Sequence, residues 1–214
     1  MDVPLTGTDL FDFFHARPVT FMAILNWVIL ALVIITATGL LFSRDWRWSL
    51  GLLAVQYLGV FWLVQTHWPV SMAAAKLVTG WMACAVLGIA QLNTKREGKS
   101  EGTWLQGRLF QVFAAGMVFA VTFVLSLRVV TWLGVSLPVA WSGLLLIGLG
   151  LLHLGITSES FQVVIGLLTV LAGFEILYAA VESSILVTAL LAVVNLGLAL
   201  AGAFFLNTSQ EEMP

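Results

Sequence analysis

Charged residues are scarce in this sequence. They make up 9% of the 214 residues, whereas apolar residues make up 60%, and a typical soluble domain has about 25% charged residues. This composition excludes a water-soluble globular domain and indicates a membrane protein. The single cysteine, Cys84, excludes a disulfide framework and any metal or redox site built from several cysteines. We expect Cys84 to fill space between helices as a small apolar residue.

Motifs for catalysis and for nucleic-acid binding are missing as well. A net charge of −2 without a large basic cluster excludes nucleic acid as a partner. The sequence contains no GxxxxGK[ST], HExxH or GxSxG motif, and no pair of histidines is spaced to hold haem. We therefore expect no catalytic residue, no metal and no cofactor in this chain, and any redox chemistry would belong to a partner.

Long apolar runs dominate what is present. A membrane-spanning helix needs about 20 apolar residues to cross about 30 Å of hydrocarbon. Period-2 alternation, which a membrane β-barrel requires, is missing, so the runs are predicted to be helices. The predicted fold is an all-α polytopic transmembrane bundle of seven helices, at residues 20–42, 49–66, 70–92, 109–133, 138–157, 160–181 and 184–206. A count of six stays open if the second or third run is re-entrant.

The distribution of basic residues predicts the orientation. One side of the membrane collects most of them, and the other side has Arg17 and Arg128. Because Lys and Arg are enriched in cytoplasmic loops, the first side is predicted to be cytoplasmic. The N-terminus is then outside and the C-terminus is cytoplasmic, in a multi-pass protein of the cell (inner or plasma) membrane. The basic residues on the cytoplasmic side are Arg44, Arg47, Lys95, Arg96, Lys99 and Arg108.

The segments outside the spans are short. Residues 1–19 carry aspartates where a cleavable signal would carry positive charge, so we expect this segment to stay attached. It is interpreted as an interfacial helix over residues 10–14 that Pro18 separates from the first span, with a disordered tail as the alternative. The remaining division is 20–92 for the first three spans, 93–108 for a cytoplasmic loop, 109–206 for the last four spans and 207–214 for a C-terminal tail.

Small and polar residues inside the spans predict how helices pack. Asn195 and Thr169 are expected to hydrogen-bond between helices, as polar side chains do in membranes. Small residues let helix backbones approach closely. They occur at Ala73, Ala74, Ala75 and Gly80, at Ala114, Ala115 and Gly116, at Gly143, Gly148 and Gly150, and at Gly197, Ala201 and Gly202.

Two ionisable residues lie at matching depth. Lys76 is six residues into the third run, and Glu175 is six residues before the end of the sixth. At 1.5 Å per residue, both lie roughly 9 Å below the outer boundary. They could form a buried pair or act as stations of a proton or cation path. The lysine could also extend its stem to the outer interface, which the shorter glutamate stem makes harder for Glu175.

Two further ionisable residues are candidates for proton relay. Arg128 falls just above the Lys76–Glu175 layer, near the outer end of the fourth run. His153 lies about one turn from the cytoplasmic end of the fifth run, where it could carry a proton or hydrogen-bond within the packing. The relay candidates are therefore Lys76, Glu175, His153 and Arg128, and the structural alternative for each of them stays open.

The last three spans resemble a known family of small membrane subunits. Residues 148–155 (GLGLLHLG), 164–168 (VIGLL) and 196–200 (LGLAL) resemble the three-helix K-type subunit of respiratory complex I, with relatives in cation/proton antiporters and in component E of hydrogenase-4-type complexes. Component E is similar in placing extra helices before this K-like unit at 138–206. Its third span has a lysine in a context comparable to residues 71–78 (SMAAAKLV).

The chain departs from this family at its acidic positions. K-type subunits have a carboxylate directly after the Ile-Gly-x motif, where this chain has Leu168. Component E has Glu-Asn-Gly where this chain has residues 171–173 (LAG), and the acid of the last helix corresponds to residues 193–195 (VVN). By this comparison the proton-path role has moved to Glu175, or this member has kept the scaffold and lost the relay.

The resemblance implies an accessory membrane-arm subunit of a proton- or cation-translocating complex. Its partners would be larger antiporter-like membrane subunits and lipid, and it would be a non-catalytic part of an oxidoreductase or antiporter assembly. It would contribute to a proton path or seal one. A structural or assembly scaffold without an ion path is the first alternative. A small-solute carrier is the second, although Pro69 and Pro138 lie at span ends and not at midplane, where carriers break their helices.

Overall fold

Seven α-helices make up the described part of the chain. The computed structural model describes residues 7–43, 45–93 and 104–211. The helices are α1 (Gly7–Phe42), α2 (Trp46–Gln65), α3 (Val70–Asn93), α4 (Trp104–Leu133), α5 (Leu137–Ile156), α6 (Ser160–Val181) and α7 (Ile185–Glu211). All seven contain a segment long and apolar enough to cross a membrane. The predicted all-α seven-span bundle is confirmed, and the six-span alternative is wrong because the second and third runs are full-length helices.

Proline and glycine set several helix ends. Pro69 directly precedes α3, and Pro138 lies in the first turn of α5, where its missing N–H leaves no helical bond unmade. Gly134 follows the last residue of α4 with φ of 66°, a left-handed conformation that L side chains rarely adopt. The connections are therefore short turns, and little of the described chain lies outside the helices.

Three helix boundaries differ from the sequence interpretation. Helix α1 runs without interruption from Gly7 to Phe42, so Pro18 does not separate a short helix from the first span. A membrane helix can continue through proline because neighbouring groups take over the lost hydrogen bond. Helix α4 begins at Trp104, inside the predicted loop 93–108, of which residues 94–103 lie outside the described residues. Helix α7 reaches Glu211, so most of the predicted tail 207–214 is helical.

The helices alternate in direction, which gives the bundle two ends. We call the end with residues 66–69, 134–136 and 182–184 the top end, and the end with residues 43, 45 and 157–159 the bottom end. The indole N–H of Trp68 donates to the backbone oxygen of Glu182 at 2.9 Å, which joins two of the top connections. Any path across the membrane through this chain would run between these two ends.

Helices α5 and α6 form the closest pair. A Cβ at Gly173 would lie 2.6 Å from the backbone oxygen of Gly143, and a Cβ at Gly150 would lie 3.1 Å from that of Gly166. Only glycine permits this approach, so the predicted seam at Gly143 and Gly150 is confirmed. Gly116 and Gly197 take no part in close packing among the described helices, since a Cβ at either would have no neighbour within 4 Å; whether they face another subunit stays open. These two glycines lie on exposed faces because their helices turn other residues inward.

The core lies around α6, with α4 at the periphery. In the apolar, membrane-crossing segment of each helix, 56% of the residues are buried in α6 but only 17% in α4. Helix α4 packs mainly against α5. Helix α6 contacts α2, α5 and α7, while α3 packs along α2 and α7. This arrangement puts the inward faces of α2, α3, α6 and α7 around one interior space, and most of the polar side chains described below point into it.

Candidate functional site

A buried ion pair joins α3 to α6. The ammonium of Lys76 donates a hydrogen bond to Glu175 Oε1, and both side chains are 3% exposed. The two residues are 99 positions apart in sequence. They meet because each lies about a turn and a half below the top end of its helix, as the equal depth in the sequence predicted. The prediction that they share a layer is confirmed.

Pairing decides between the interpretations of Lys76. A lysine near a membrane boundary can extend its ammonium to the headgroups, but here the side chain is buried and reaches the carboxylate of Glu175. The interpretation of Lys76 as a residue that reaches the outer interface is therefore wrong. Moving either charge alone into the bundle would cost several kcal/mol, so each residue makes the burial of the other tolerable. Whether the pair also passes protons is a separate question of function.

A neutral hydrogen-bonded pair lies about one turn below the ion pair. The hydroxyl of Tyr57, on α2, donates to Asn195 Oδ1, on α7, at 3.0 Å. The ring of Tyr57 packs against Gly80, one turn after Lys76 on α3, where an added Cβ would lie 2.6 Å from the ring. Tyr57 therefore lies within about one turn of the level of Lys76 on α3. The expectation that Asn195 bonds between helices is confirmed, and the polar interior joins α2, α3, α6 and α7.

Aromatic residues lie above the ion pair at the top end. The ring of Trp68 meets that of Tyr178 edge to face, with centroids 6.2 Å apart. Tyr178 is one turn beyond Glu175 on α6 and also stacks on Phe174. The sequence places Trp68 at a span end, where tryptophans usually face the lipid headgroups. It is instead 4% exposed, and its N–H donates to the backbone oxygen of Glu182.

His153 belongs to a third polar pair, near the bottom end. Its Nε2 atom lies 3.1 Å from Oε1 of Gln162, which joins α5 to α6, and both residues are buried. Gln162 and Glu175 are thirteen residues apart on α6, or about 20 Å along the helix axis. His153 is therefore not part of the Lys76–Glu175 cluster, and the hydrogen bond agrees with a packing role for it.

Arg128 is not part of the cluster either. It lies on an exposed part of α4, the most peripheral helix, where its long stem can carry the guanidinium towards the membrane boundary.

Thr169, which was expected to bond between helices, instead donates to the backbone oxygen of Ile165 within α6 at 2.8 Å. That correction has a physical cause, since a threonine in a helix can satisfy its hydroxyl on the preceding turn.

Three fully buried leucines lie between the Lys76–Glu175 pair and the His153–Gln162 pair. Leu53, Leu87 and Leu168 are each 0% exposed and belong to one hydrophobic core cluster. Leu53 lies one turn below Tyr57, and Leu168 lies between Gln162 and Glu175. Leu87 lies lower, about two turns below Gly80, where it and Val164 of α6 lie beside Gly202. We call the three leucines the apolar layer. In this arrangement it would oppose the passage of a charge through the chain from the Lys76–Glu175 pair to the bottom end.

The chemistry available to the cluster is proton exchange and electrostatic interaction. Among the described residues, no group of three or more His, Cys, Asp or Glu side chains could hold a metal ion. Lys76 and Glu175 are two ionisable groups in contact in a low-dielectric interior, where the proton position of one affects the other. Cys84 is buried, as expected of a small filler.

Sequence reasoning identified the ion pair but missed its neighbours. Tyr57, Gln56 and Gln162 were not singled out, although all three are polar interruptions of apolar runs. Weighing every polar residue inside a span, and not only the charged ones, would have found those three. Trp68 gave no such signal, because tryptophan at a span end is ordinary.

Comparison with known proteins gives no relative. No protein-family model matches this chain, and no curated protein or solved structure matches it significantly. The class that the fold defines is a seven-helix membrane bundle with a buried ion pair.

Proposed function

We propose that this chain is an accessory, non-catalytic membrane subunit of a multisubunit proton- or cation-translocating complex. In this role it packs beside larger antiporter-like subunits, and its interior forms part of a proton route or closes one. The Lys76–Glu175 pair would be the group that responds to a proton or to the electric field of a partner. The observation that carries the proposal is the burial of this pair between α3 and α6.

Burial of a charged pair in a membrane helix bundle needs a reason. Ionisable residues in spans are costly and commonly mark proton or ion pathways. About one turn below the pair, the interior also contains the hydrogen-bonded hydroxyl of Tyr57. A proton reaching Glu175 would release Lys76, and the two side chains would then seek other partners. Such a change is a local switch that a neighbouring subunit could sense.

The apolar layer favours a role in closing a proton route rather than in forming a complete path across the membrane. It lies between the Lys76–Glu175 pair and the His153–Gln162 pair, which are about 20 Å apart along α6. In the proposed orientation the N-terminus and the top end face outside, and the C-terminus is cytoplasmic. The cluster would then exchange protons with the outer side or sideways with a partner, while the apolar layer blocks the cytoplasmic side.

The family resemblance gives independent support of a weaker kind. It rests on the apolar patterns at 148–155, 164–168 and 196–200. At the position of the K-type carboxylate this chain has Leu168, which belongs to the apolar layer. Glu175 lies seven residues further along α6 and is paired. The proposal is therefore that Glu175 takes over part of the acidic role while the family's own acidic position has become part of the seal.

A structural or assembly scaffold is the second candidate. It is favoured by the hydrogen bonding of His153 to Gln162 and of Tyr57 to Asn195, each of which fixes the packing of two helices. In this alternative the Lys76–Glu175 pair only sets the register of α3 against α6. A small-solute carrier ranks last, since the described spans are unbroken helices and Pro69 and Pro138 lie at the starts of α3 and α5.

The experiment compares charge-removing variants in the intact assembly. The chain is tagged and purified with its partners from membranes, and proton translocation is measured in vesicles containing that assembly. The test variants are Glu175→Gln and Lys76→Met. The matched control is Glu159→Gln, which removes an exposed carboxylate in a bottom connection. A relay role predicts that both test variants lower proton transport at least tenfold while the control does not.

Two results would decide against the proposal. If the assembly forms and transports protons normally with both test variants, the relay role fails and the scaffold role stands. If the chain purifies alone and no larger assembly is found under mild extraction, the subunit proposal itself fails. The carrier alternative would then be the one to test.

A further inference from the structure

Two buried amide side chains in the interior have atoms without hydrogen-bond partners. Both amide atoms of Gln56, and Nδ2 of Asn195, are buried and have no partner among the described residues. Each of these residues is 1% exposed. An unmade hydrogen bond in a protein interior costs stability, and almost all buried polar groups in native proteins find a protein group or a bound water. These amides therefore point to a ligand.

Other buried polar side chains behave differently. The buried hydroxyls of Thr36, Thr122, Ser142, Thr169 and Thr188 each donate to the backbone oxygen four residues earlier in the chain. Thr38, Trp62 and Trp141 also have an unpartnered buried atom, but these residues are only half-buried. Among the described residues, only Gln56 and Asn195 combine complete burial with an amide that the protein leaves unsatisfied.

The two amides lie at one level of the bundle. Gln56 is the residue before Tyr57 on α2, and Asn195 accepts the hydrogen bond of Tyr57 from α7. This level is about one turn below the Lys76–Glu175 pair and above the apolar layer. We call Gln56, Tyr57 and Asn195 the amide level.

We infer that the amide level binds water molecules inside the membrane, held by the Gln56 amide and by Asn195 Nδ2. A water molecule has two donors and two acceptor sites, which suits an amide that needs both a donor and an acceptor. Polar interior sites of this kind are where buried waters occur, whereas apolar cavities stay dry. The inference concerns hydration and does not require protons to pass. If they do, the bound water extends the polar interior inward from Glu175.

The sign of a stability change tests this inference. Gln56→Met keeps the length of the side chain and removes the amide. If the amide holds water, the variant loses those hydrogen bonds, and the apparent melting temperature of the purified full chain in detergent falls by several degrees. If the amide is dry and unpartnered, its removal leaves the melting temperature unchanged or raises it, and this result would overturn the inference.

A matched control separates hydration from side-chain fit. Leu53→Met introduces the same side chain at a fully buried position on α2, one turn away, where a change of similar volume should cost little. The inference requires a fall for Gln56→Met that clearly exceeds the change for Leu53→Met. Equal falls would show that methionine fits poorly in this part of α2 and would count against the bound water.

A density map gives the second, independent test. In a high-resolution map of the full chain in lipid nanodiscs, we expect peaks about 2.7–3.2 Å from the Gln56 amide and from Asn195 Nδ2. Well-ordered amides without such peaks, or amides that bond directly to other protein groups, would contradict the inference. Because neither measurement uses transport, a negative result here leaves the proposed subunit function untouched, and the reverse also holds.

Discussion

At the scale of single residues, the interior is organised by partners that satisfy one another. Lys76 and Glu175 neutralise their charges, and Tyr57 and Asn195 share a hydrogen bond one turn below. Removing one member of such a pair costs more than removing both, because the remaining group is left buried and unmatched. This asymmetry gives the ion pair a clear energetic signature.

The ion pair should show strong coupling in a double-mutant cycle. We expect Glu175→Leu or Lys76→Met alone to lower the free energy of unfolding by about 3–5 kcal/mol, since each leaves a buried charge without its partner. The double variant should cost much less than the sum. The measurement is unfolding of the purified full chain in detergent, with Glu159→Gln as an exposed control. Additive effects of the two changes would be incompatible with direct pairing.

Loss of the Tyr57 hydroxyl should have a smaller effect. Tyr57→Phe keeps the ring against Gly80 but leaves Asn195 Oδ1 without its donor. We expect the free energy of unfolding to fall by about 1–2 kcal/mol. Tyr178→Phe is the control, because that residue is only half-buried at the top end. If both changes cost the same, the hydrogen bond to Asn195 contributes nothing specific.

At the scale of helices, the bundle depends on the close approach of α5 and α6. The contacts of Gly173 and Gly150 across these helices include backbone oxygens, which cannot move aside as a flexible side chain can. Apolar attraction alone does not hold helices together in lipid, so close backbone packing supplies much of the association energy. Helix α6 is also the helix that carries Glu175, Leu168 and Gln162, so a shift of α6 would disturb both polar pairs.

Two glycine variants separate packing from helix propensity. In Gly173→Ala the new Cβ would lie 2.6 Å from the backbone oxygen of Gly143, so the helices must separate. We expect a loss of about 1–3 kcal/mol in the free energy of unfolding. In Gly116→Ala the Cβ has no neighbour within 4 Å, and the better helix propensity of alanine should leave stability unchanged or slightly higher. A reversed order would show that α5 and α6 are not packed this closely.

At the scale of the whole molecule, the sequence predicts the membrane spans but not which helices pack against one another. The seven helices could be predicted because hydrocarbon thickness sets the length of an apolar run. The equal depth of Lys76 and Glu175 followed from the constant rise of a helix. Which helices touch could not be predicted, since the lipid-facing and protein-facing sides of these helices are both apolar. The bond between Tyr57 and Asn195, 138 residues apart, depends on that arrangement.

The most direct test of this account is an experimental density map of the full chain in a lipid bilayer. The account predicts that the Lys76 ammonium and the Glu175 carboxylate are in contact between α3 and α6, inside the bundle and below Trp68. A map in which the two side chains lie on separate, lipid-facing surfaces of the protein would contradict it.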